Sequence, residues 1–165
     1  MPPQVVHFVG RSNSGKTTLI TRLIPLFKQK QLRVGSLKQT HHQVEFDQKN
    51  KDSWKHRYAG SEQVLLLSET KLALHAERPK DYSLADLIEK WFDQFDIVIV
   101  EGFKNEKGLN IEVCSTDAQE SPLYQNPKYN ISAIISDDNH ASNIPQFKRD
   151  DIESIFSWIT KKSNL

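Results

Sequence analysis

The chain has 165 residues, 22 basic against 21 acidic, and a formal charge of +1. That balance provides no basic field of the kind that gathers nucleic acid. A single cysteine, Cys114, excludes an internal disulfide and fits a reducing compartment. One domain spanning 1–165, long enough for a real core, is expected. The longest apolar runs, Val64–Leu67 and Ile97–Val100, are far too short to span a bilayer. The chain enters its first predicted strand almost at once, without a signal-peptide layout, so a cytoplasmic location is expected.

Val5 to Val9 reads as a short buried strand, and Gly10-Arg11-Ser12-Asn13-Ser14-Gly15-Lys16-Thr17 follows it. The octet meets every fixed position of the phosphate-loop pattern G-x-x-x-x-G-K-[ST]. A helix is predicted from Thr17 to Gln31, which completes the strand–loop–helix context the pattern needs. Gly10 and Gly15 let the backbone turn tightly and bring its N–H groups close to phosphate oxygens. Lys16 suits the β- and γ-phosphates, and the Thr17 hydroxyl suits Mg²⁺. Arg11, Ser12, Asn13, Ser14 and Thr18 complete the candidate anion cradle. In the helix, Leu19, Ile20, Leu23, Ile24 and Phe27 share one face, and Pro25 removes one hydrogen bond.

A second strand is expected over Arg33–Leu37, then a polar stretch from Lys38 to Lys51. Lys38-Gln39-Thr40-His41-His42 admits three readings: contact with phosphate or an acidic substrate, a surface without a role, or part of a composite metal site with His56, Asp47 or Asp52. A short helix is expected over Trp54–Tyr58, capped by Asp52 or Ser53 and ended by Gly60. Its Trp54, Arg57 and Tyr58 either hold a phosphate-bearing heterocycle, with Arg57 pairing bidentately, or form an ordinary amphipathic face with the aromatics inward.

Gln63–Leu67 and Lys71–Ala76 read as neighbouring strands joined by a tight turn. Ser83 with Asp86 resembles a capping box opening a helix to about Phe92. Asp96–Val100 is a β-branched run of the type covered on both sides in a parallel sheet. It ends at Glu101-Gly102, where a phosphate-loop protein places the carboxylate that holds Mg²⁺ or orients a water, with Gly102 letting the backbone pass close to a γ-phosphate. Leu109–Val113 and Ile131–Ile135 are further strands. Thr116 to Tyr129 reads as a loop, and Asp150 or Asp151 caps a last helix. Asp137 and Asp138 carry carboxylates that suit guanine N1 and N2, although no [NT]-K-x-D signature is present. Cys114 reads as buried and inert.

Helices alternating with apolar strands predict an α/β class: a P-loop NTPase three-layer fold with a mainly parallel twisted sheet and helices on both faces. Ligands in such sheets sit beyond the carboxyl ends of the strands. Lys16 and Glu101 are the expected catalytic residues, and Thr17 and Glu101 the expected metal ligands.

The set Gly10–Thr17, Lys38–His42, Asp52–Gly60 and Val100-Glu101-Gly102-Phe103-Lys104 resembles the MobB family, the molybdopterin-guanine dinucleotide biosynthesis adaptor proteins. The likeness runs from the first strand to about Asp138. Gln39 stands where the family commonly has histidine, and Ser61 where alanine is usual. The resemblance implies a GTP-binding, homodimeric protein with weak GTPase activity. Such a protein assists the MobA-type guanylyltransferase that joins GMP to molybdopterin, making the guanine dinucleotide form of the molybdenum cofactor. It further implies that Lys38, His41, His42, His56 and Arg57 face phosphate or molybdopterin. Two other readings stay open: a binding module without catalysis, and a small-molecule kinase. The isolated Arg78 and Arg149, with no arginine-rich lid, weigh against the kinase.

Overall fold

The computed structural model describes residues 2–40, 42, 44–45, 47–115 and 121–165. In chain order the elements are β1 (Gln4–Val9), α1 (Lys16–Gln29), β2 (Val34–Lys38), α2 (Asp52–Tyr58), β3 (Gln63–Leu67), β4 (Leu72–Ala76), α3 (Leu84–Phe92), β5 (Ile97–Glu101), β6 (Leu109–Val113), β7 (Ile131–Ile135), β8 (Gln146–Phe147) and α4 (Ile152–Ser163). The chain divides into two compact units, one made of residues 1–39 and 88–165 and the other of residues 40–87.

The first unit holds a six-stranded sheet of order β2-β5-β1-β6-β7-β8. Every neighbouring pair in it is parallel. Alternation along each strand separates two faces. Val6, Phe8, Ile97, Ile99, Ile111, Val113, Ala133 and Ile135 point to one face and form a single core with Leu19, Leu23 and Phe27 of α1 and Ile155, Phe156 and Ile159 of α4. Phe27 meets Phe156 edge-on at 5.0 Å. On the other face, Gly35 of β2 leaves room for the Phe92 ring at the end of α3. A β-carbon at Gly35 would stand 2.4 Å from that ring.

The same face buries three polar side chains. Asn110 donates through Nδ2 to the carbonyls of Glu106 and Tyr129, both at 3.0 Å. The Glu112 carboxylate accepts the N–H groups of Leu123 and Tyr124, both at 2.7 Å. It thereby caps the 3₁₀ turn Leu123–Gln125 and tethers the loop beside β6. His7 lies beside Asn110 in the sheet register and is 1% exposed.

Burial lowers the His7 pKa to about 4, against 6.5 in the open chain. Between those values the unfolded chain binds the extra proton, so stability falls as the pH drops from 6.5 towards 4, by an amount on the order of 3 kcal/mol. Urea midpoints measured across this window are expected to slope downward with acidity. The slope is expected to flatten in His7→Leu. An unchanged slope in that variant would place the acid sensitivity elsewhere.

Helix α1 ends without glycine. Gln31 takes the left-handed conformation at φ 63°, and the N–H of Leu32 reaches the Phe27 carbonyl at 3.2 Å while that of Gln31 reaches the Lys28 carbonyl at 2.9 Å. This is a Schellman ending, and it stops the helix two residues before the expected Gln31. At α4, Asp151 is the cap, accepting the Ser154 N–H at 3.2 Å. Asp150 instead pairs with Arg22 at 2.8 Å. The capping box at α3 forms as expected: Asp86 accepts the Ser83 N–H at 2.7 Å, and Ser83 Oγ accepts the Asp86 N–H at 3.2 Å.

In the second unit, β3 and β4 form an antiparallel hairpin with Gln63 opposite Ala76 and Leu67 opposite Leu72. Both of its faces are apolar, and Leu65, Leu66, Leu67 and Leu72 are each more than half exposed. In α2 no residue is buried. Trp54 and Tyr58 stack with centroids 4.7 Å apart; Trp54 is partly buried, and Tyr58 is 80% exposed and so does not point inward.

Candidate functional site

The Gly10–Thr17 loop leaves the carboxyl end of the central strand β1. Gly10 turns at φ 141°, and a β-carbon there would lie 2.4 Å from the Val113 carbonyl oxygen, so only glycine fits against β6. Gly15 caps α1 in the left-handed region at φ 89°. Asn13 has φ 60°, a conformation asparagine tolerates better than most residues. The Ser14 N–H closes a turn onto the Arg11 carbonyl at 3.3 Å. Among the described residues, the amides of Asn13, Gly15, Lys16, Thr17 and Thr18 make no hydrogen bond within the protein. These unpaired donors at a helix N-terminus have the arrangement a polyanion requires.

Lys16 arches over the loop. Its ammonium donates to the Arg11 carbonyl at 2.6 Å and to the Gly10 carbonyl and Ser14 Oγ, each at 3.3 Å. Burial lowers its pKa; Glu101 opposes this and Lys38 reinforces it. A partly desolvated ammonium pairs more strongly with an anion than one in water does.

The second cluster follows from the parallel register. Lys38 and Glu101 are the last residues of β2 and β5 and lie side by side. The Thr17 hydroxyl donates to the two Glu101 oxygens at 2.9 and 3.1 Å. The Lys38 ammonium stands 3.1 Å from Glu101 Oε1 and 3.3 Å from Thr17 Oγ1. A cation thus already sits against these two hard oxygen groups, and their chemistry fits Mg²⁺. Gly102 turns the chain at φ 106°, and Gln39 braces that turn. The Gln39 side-chain oxygen accepts the Phe103 N–H at 3.0 Å, and its own N–H reaches the Glu101 carbonyl at 2.9 Å.

Arg149 stands isolated in the sequence. Here it is tied to the phosphate loop, donating to the Ser14 carbonyl at 2.6 Å and to the Cys114 carbonyl. Its Nε faces Asp137 Oδ2 at 3.2 Å, and its backbone N–H reaches Asp137 Oδ1 at 3.2 Å. No local pattern marks this residue, because its partners lie far away in sequence. Cys114 is buried, and desolvation raises its pKa to about 12, so it remains a thiol.

The other sequence candidates fall in the second unit. His41 lies outside the described residues. The His42 N–H bonds Thr40 Oγ1 at 3.2 Å, and the Arg57 guanidinium pairs with Glu45. Asp47 accepts from Ser53 at 3.1 Å. Among the described residues, no group of three or more His, Cys, Asp or Glu gathers as a metal site. None of their helices is long and apolar enough to cross a membrane.

A family model described as Molybdopterin guanine dinucleotide synthesis protein B matches residues 5–137. The chain is 44% identical over 104 residues to the molybdopterin-guanine dinucleotide biosynthesis adapter protein of Haemophilus influenzae, spanning 62% of this chain and 58% of that protein. It is 29% identical over 160 residues to the adapter protein of the same name from Escherichia coli, spanning 95% and 91% of the two. The crystal structure of a molybdopterin-guanine biosynthesis protein B superposes with a TM-score of 0.80 at 29% identity, covering 98% of this chain and 99% of the other.

Proposed function

Since the chain belongs to the MobB family, a family of the P-loop NTPase fold, we propose that it is a GTP-binding adaptor in the synthesis of the molybdopterin guanine dinucleotide cofactor. The observation that carries the nucleotide part is the set of amides of Asn13, Gly15, Lys16, Thr17 and Thr18, without a hydrogen bond among the described residues, on the loop that the Lys16 ammonium bonds. In this reading the loop amides and Lys16 hold the phosphates, while Thr17 and Glu101 hold Mg²⁺. The metal, when bound, neutralises phosphate charge. Lys38, displaced from Glu101, then meets the terminal phosphate. His41, His42 and Arg57 remain candidates for contact with phosphate or molybdopterin.

Hydrolysis of GTP is slow in this reading. An arginine placed on the γ-phosphate is worth about 10³–10⁵ in rate. Arg149 is already engaged by two backbone carbonyls and Asp137. The MobA-type guanylyltransferase is the partner proposed to receive the nucleotide-loaded adaptor. The small-molecule kinase reading finds no support among the relatives, which carry adapter names.

A homodimer is proposed through the β3–β4 hairpin. An isolated two-stranded ribbon is marginal in water, and this one carries exposed leucines on both faces. Sedimentation at micromolar concentration is expected to show two copies.

Competition binding tests the nucleotide assignment: GTP is expected to displace a labelled analogue at a much lower concentration than ATP. With γ-labelled GTP, slow release of free phosphate is expected. A preference for ATP, or transfer of label to a small acceptor, would replace this reading with another.

A further inference from the structure

The two oxygen groups suited to a metal are engaged by one side chain of the protein. Lys38 Nζ stands 3.1 Å from Glu101 Oε1 and 3.3 Å from Thr17 Oγ1. The Thr17 hydroxyl directs its proton to the Glu101 oxygens, at 2.9 and 3.1 Å. What that hydroxyl can offer a cation is a lone pair, and Lys38 donates to it. A single ammonium thus touches both groups that would ligate the metal.

The pair is asymmetric. The Glu101 side chain is 14% exposed and the Lys38 side chain 60%. A carboxylate so far out of water requires a positive partner, whereas an ammonium mostly in water parts from one at small cost. The strand backbones stay where their register puts them, and the flexible four-carbon stem of Lys38 allows its tip to move alone. Charge then sets the order of events. Lys38 is close enough to Lys16 to disfavour its charge, and Glu101 close enough to favour it. Two ammoniums and one carboxylate leave a net positive cluster, which repels a divalent ion arriving by itself. A triphosphate reverses the sign of the cluster and offers Lys38 a second anionic partner.

We propose that Lys38 is the resident cation of this site. It keeps divalent metal off Thr17 and Glu101 until a terminal phosphate draws it away, and it thereby sets the preference for a nucleoside triphosphate over a diphosphate. The preference rests on the GTP reading above; the exclusion of metal by Lys38 is a property of the nucleotide-free chain. With a diphosphate, Lys38 has no terminal phosphate to reach and stays on Glu101.

The test begins with Mn²⁺ alone, titrated into the nucleotide-free wild type, Lys38→Met and Lys38→Arg, with free ion followed by its paramagnetic resonance signal. Lys38→Met is expected to bind Mn²⁺ roughly tenfold more tightly than the wild type or better, and Lys38→Arg, which keeps the charge, to stay close to it. Adding Glu101→Gln to Lys38→Met is expected to abolish the gain. GTP and GDP affinities are then measured with Mg²⁺ in the same proteins. The ratio favouring GTP is expected to fall about tenfold in Lys38→Met, the loss of one charge-assisted contact. Lys38 lies outside the apolar core, so all variants are expected to melt with the wild type. Equal Mn²⁺ binding by the wild type and Lys38→Met overturns the proposal, as does a loss of GTP and GDP affinity by one common factor. A wild type that binds neither nucleotide overturns the GTP reading instead, and the Mn²⁺ titration still decides whether Lys38 holds the metal off.

Discussion

Lys16→Ala is expected to weaken GTP binding by about a hundredfold or more, with little change in the melting temperature. The first part follows from charge. A charge-assisted hydrogen bond is worth roughly 1.5–3 kcal/mol, and Lys16 is placed to make more than one to adjacent phosphates. The second part follows from what Lys16 does in the fold. Among the described residues its ammonium bonds loop carbonyls and Ser14 Oγ alone, and it takes no part in the apolar core. Desolvation works against its charge, so truncation removes a cost as well as a contact. Calorimetric titration of the variant with Mg²⁺-GTP measures the effect. Affinity within a factor of three of the wild type would mean that the loop amides alone hold the phosphates.

Glu101→Gln is the second large effect, and its signature is the response to metal. In the wild type, GTP affinity is expected to rise by one to two orders of magnitude, roughly, when Mg²⁺ replaces EDTA, since Thr17 and Glu101 would hold the metal and its charge would offset that of the phosphates. The variant keeps the shape of the side chain and loses its charge. The Thr17 hydroxyl and the Lys38 ammonium both lose their anionic partner. Lys38 is then available to the terminal phosphate without competition. The variant is therefore expected to bind GTP in EDTA as well as the wild type does, or better, while its gain on adding Mg²⁺ shrinks to a few-fold. Titrations in the two buffers give the ratio directly. A variant with the full metal response would remove Glu101 from the cation site.

Much of this site was legible from local pattern. The phosphate-loop octet, the strand before it and the helix after it are contiguous in sequence, and each rests on a short-range rule. The apolar run ending at Glu101 is likewise local. The Ser83–Asp86 box can be read because both partners sit within one helical turn.

Other features depend on contacts that no window of sequence contains. Arg149 and Ser14 are 135 positions apart. Strand β8 is only two residues long, one of them the polar Gln146, so it carries no periodic signal. Glu112 is a charged residue within the expected strand Leu109–Val113, and nothing in the sequence marks it as buried. It is instead 2% exposed, because β6 is flanked on both sides and two backbone amides satisfy its carboxylate. Helix α1 ends before the expected Gln31 because glutamine supplies the left-handed turn where glycine is the usual sign. Polar Lys38 to Lys51 is a different case: its residues have no periodicity, so sequence left their roles open.

The pairing of β2 with β5 makes the site vulnerable in an unusual way. Lys38 meets Glu101 only because the two strands run in step, Val34 beside Ile97 and onward to their ends. Loss of one residue anywhere between Val34 and Leu37 would keep every remaining side chain chemically intact. It would also turn Lys38 to the opposite surface of the sheet and shift it by about 3.3 Å. Length in this short segment is therefore a constraint of its own, separate from the one that the Phe92 ring places on Gly35: a single-codon deletion would part Lys38 from Glu101 whatever residues remained.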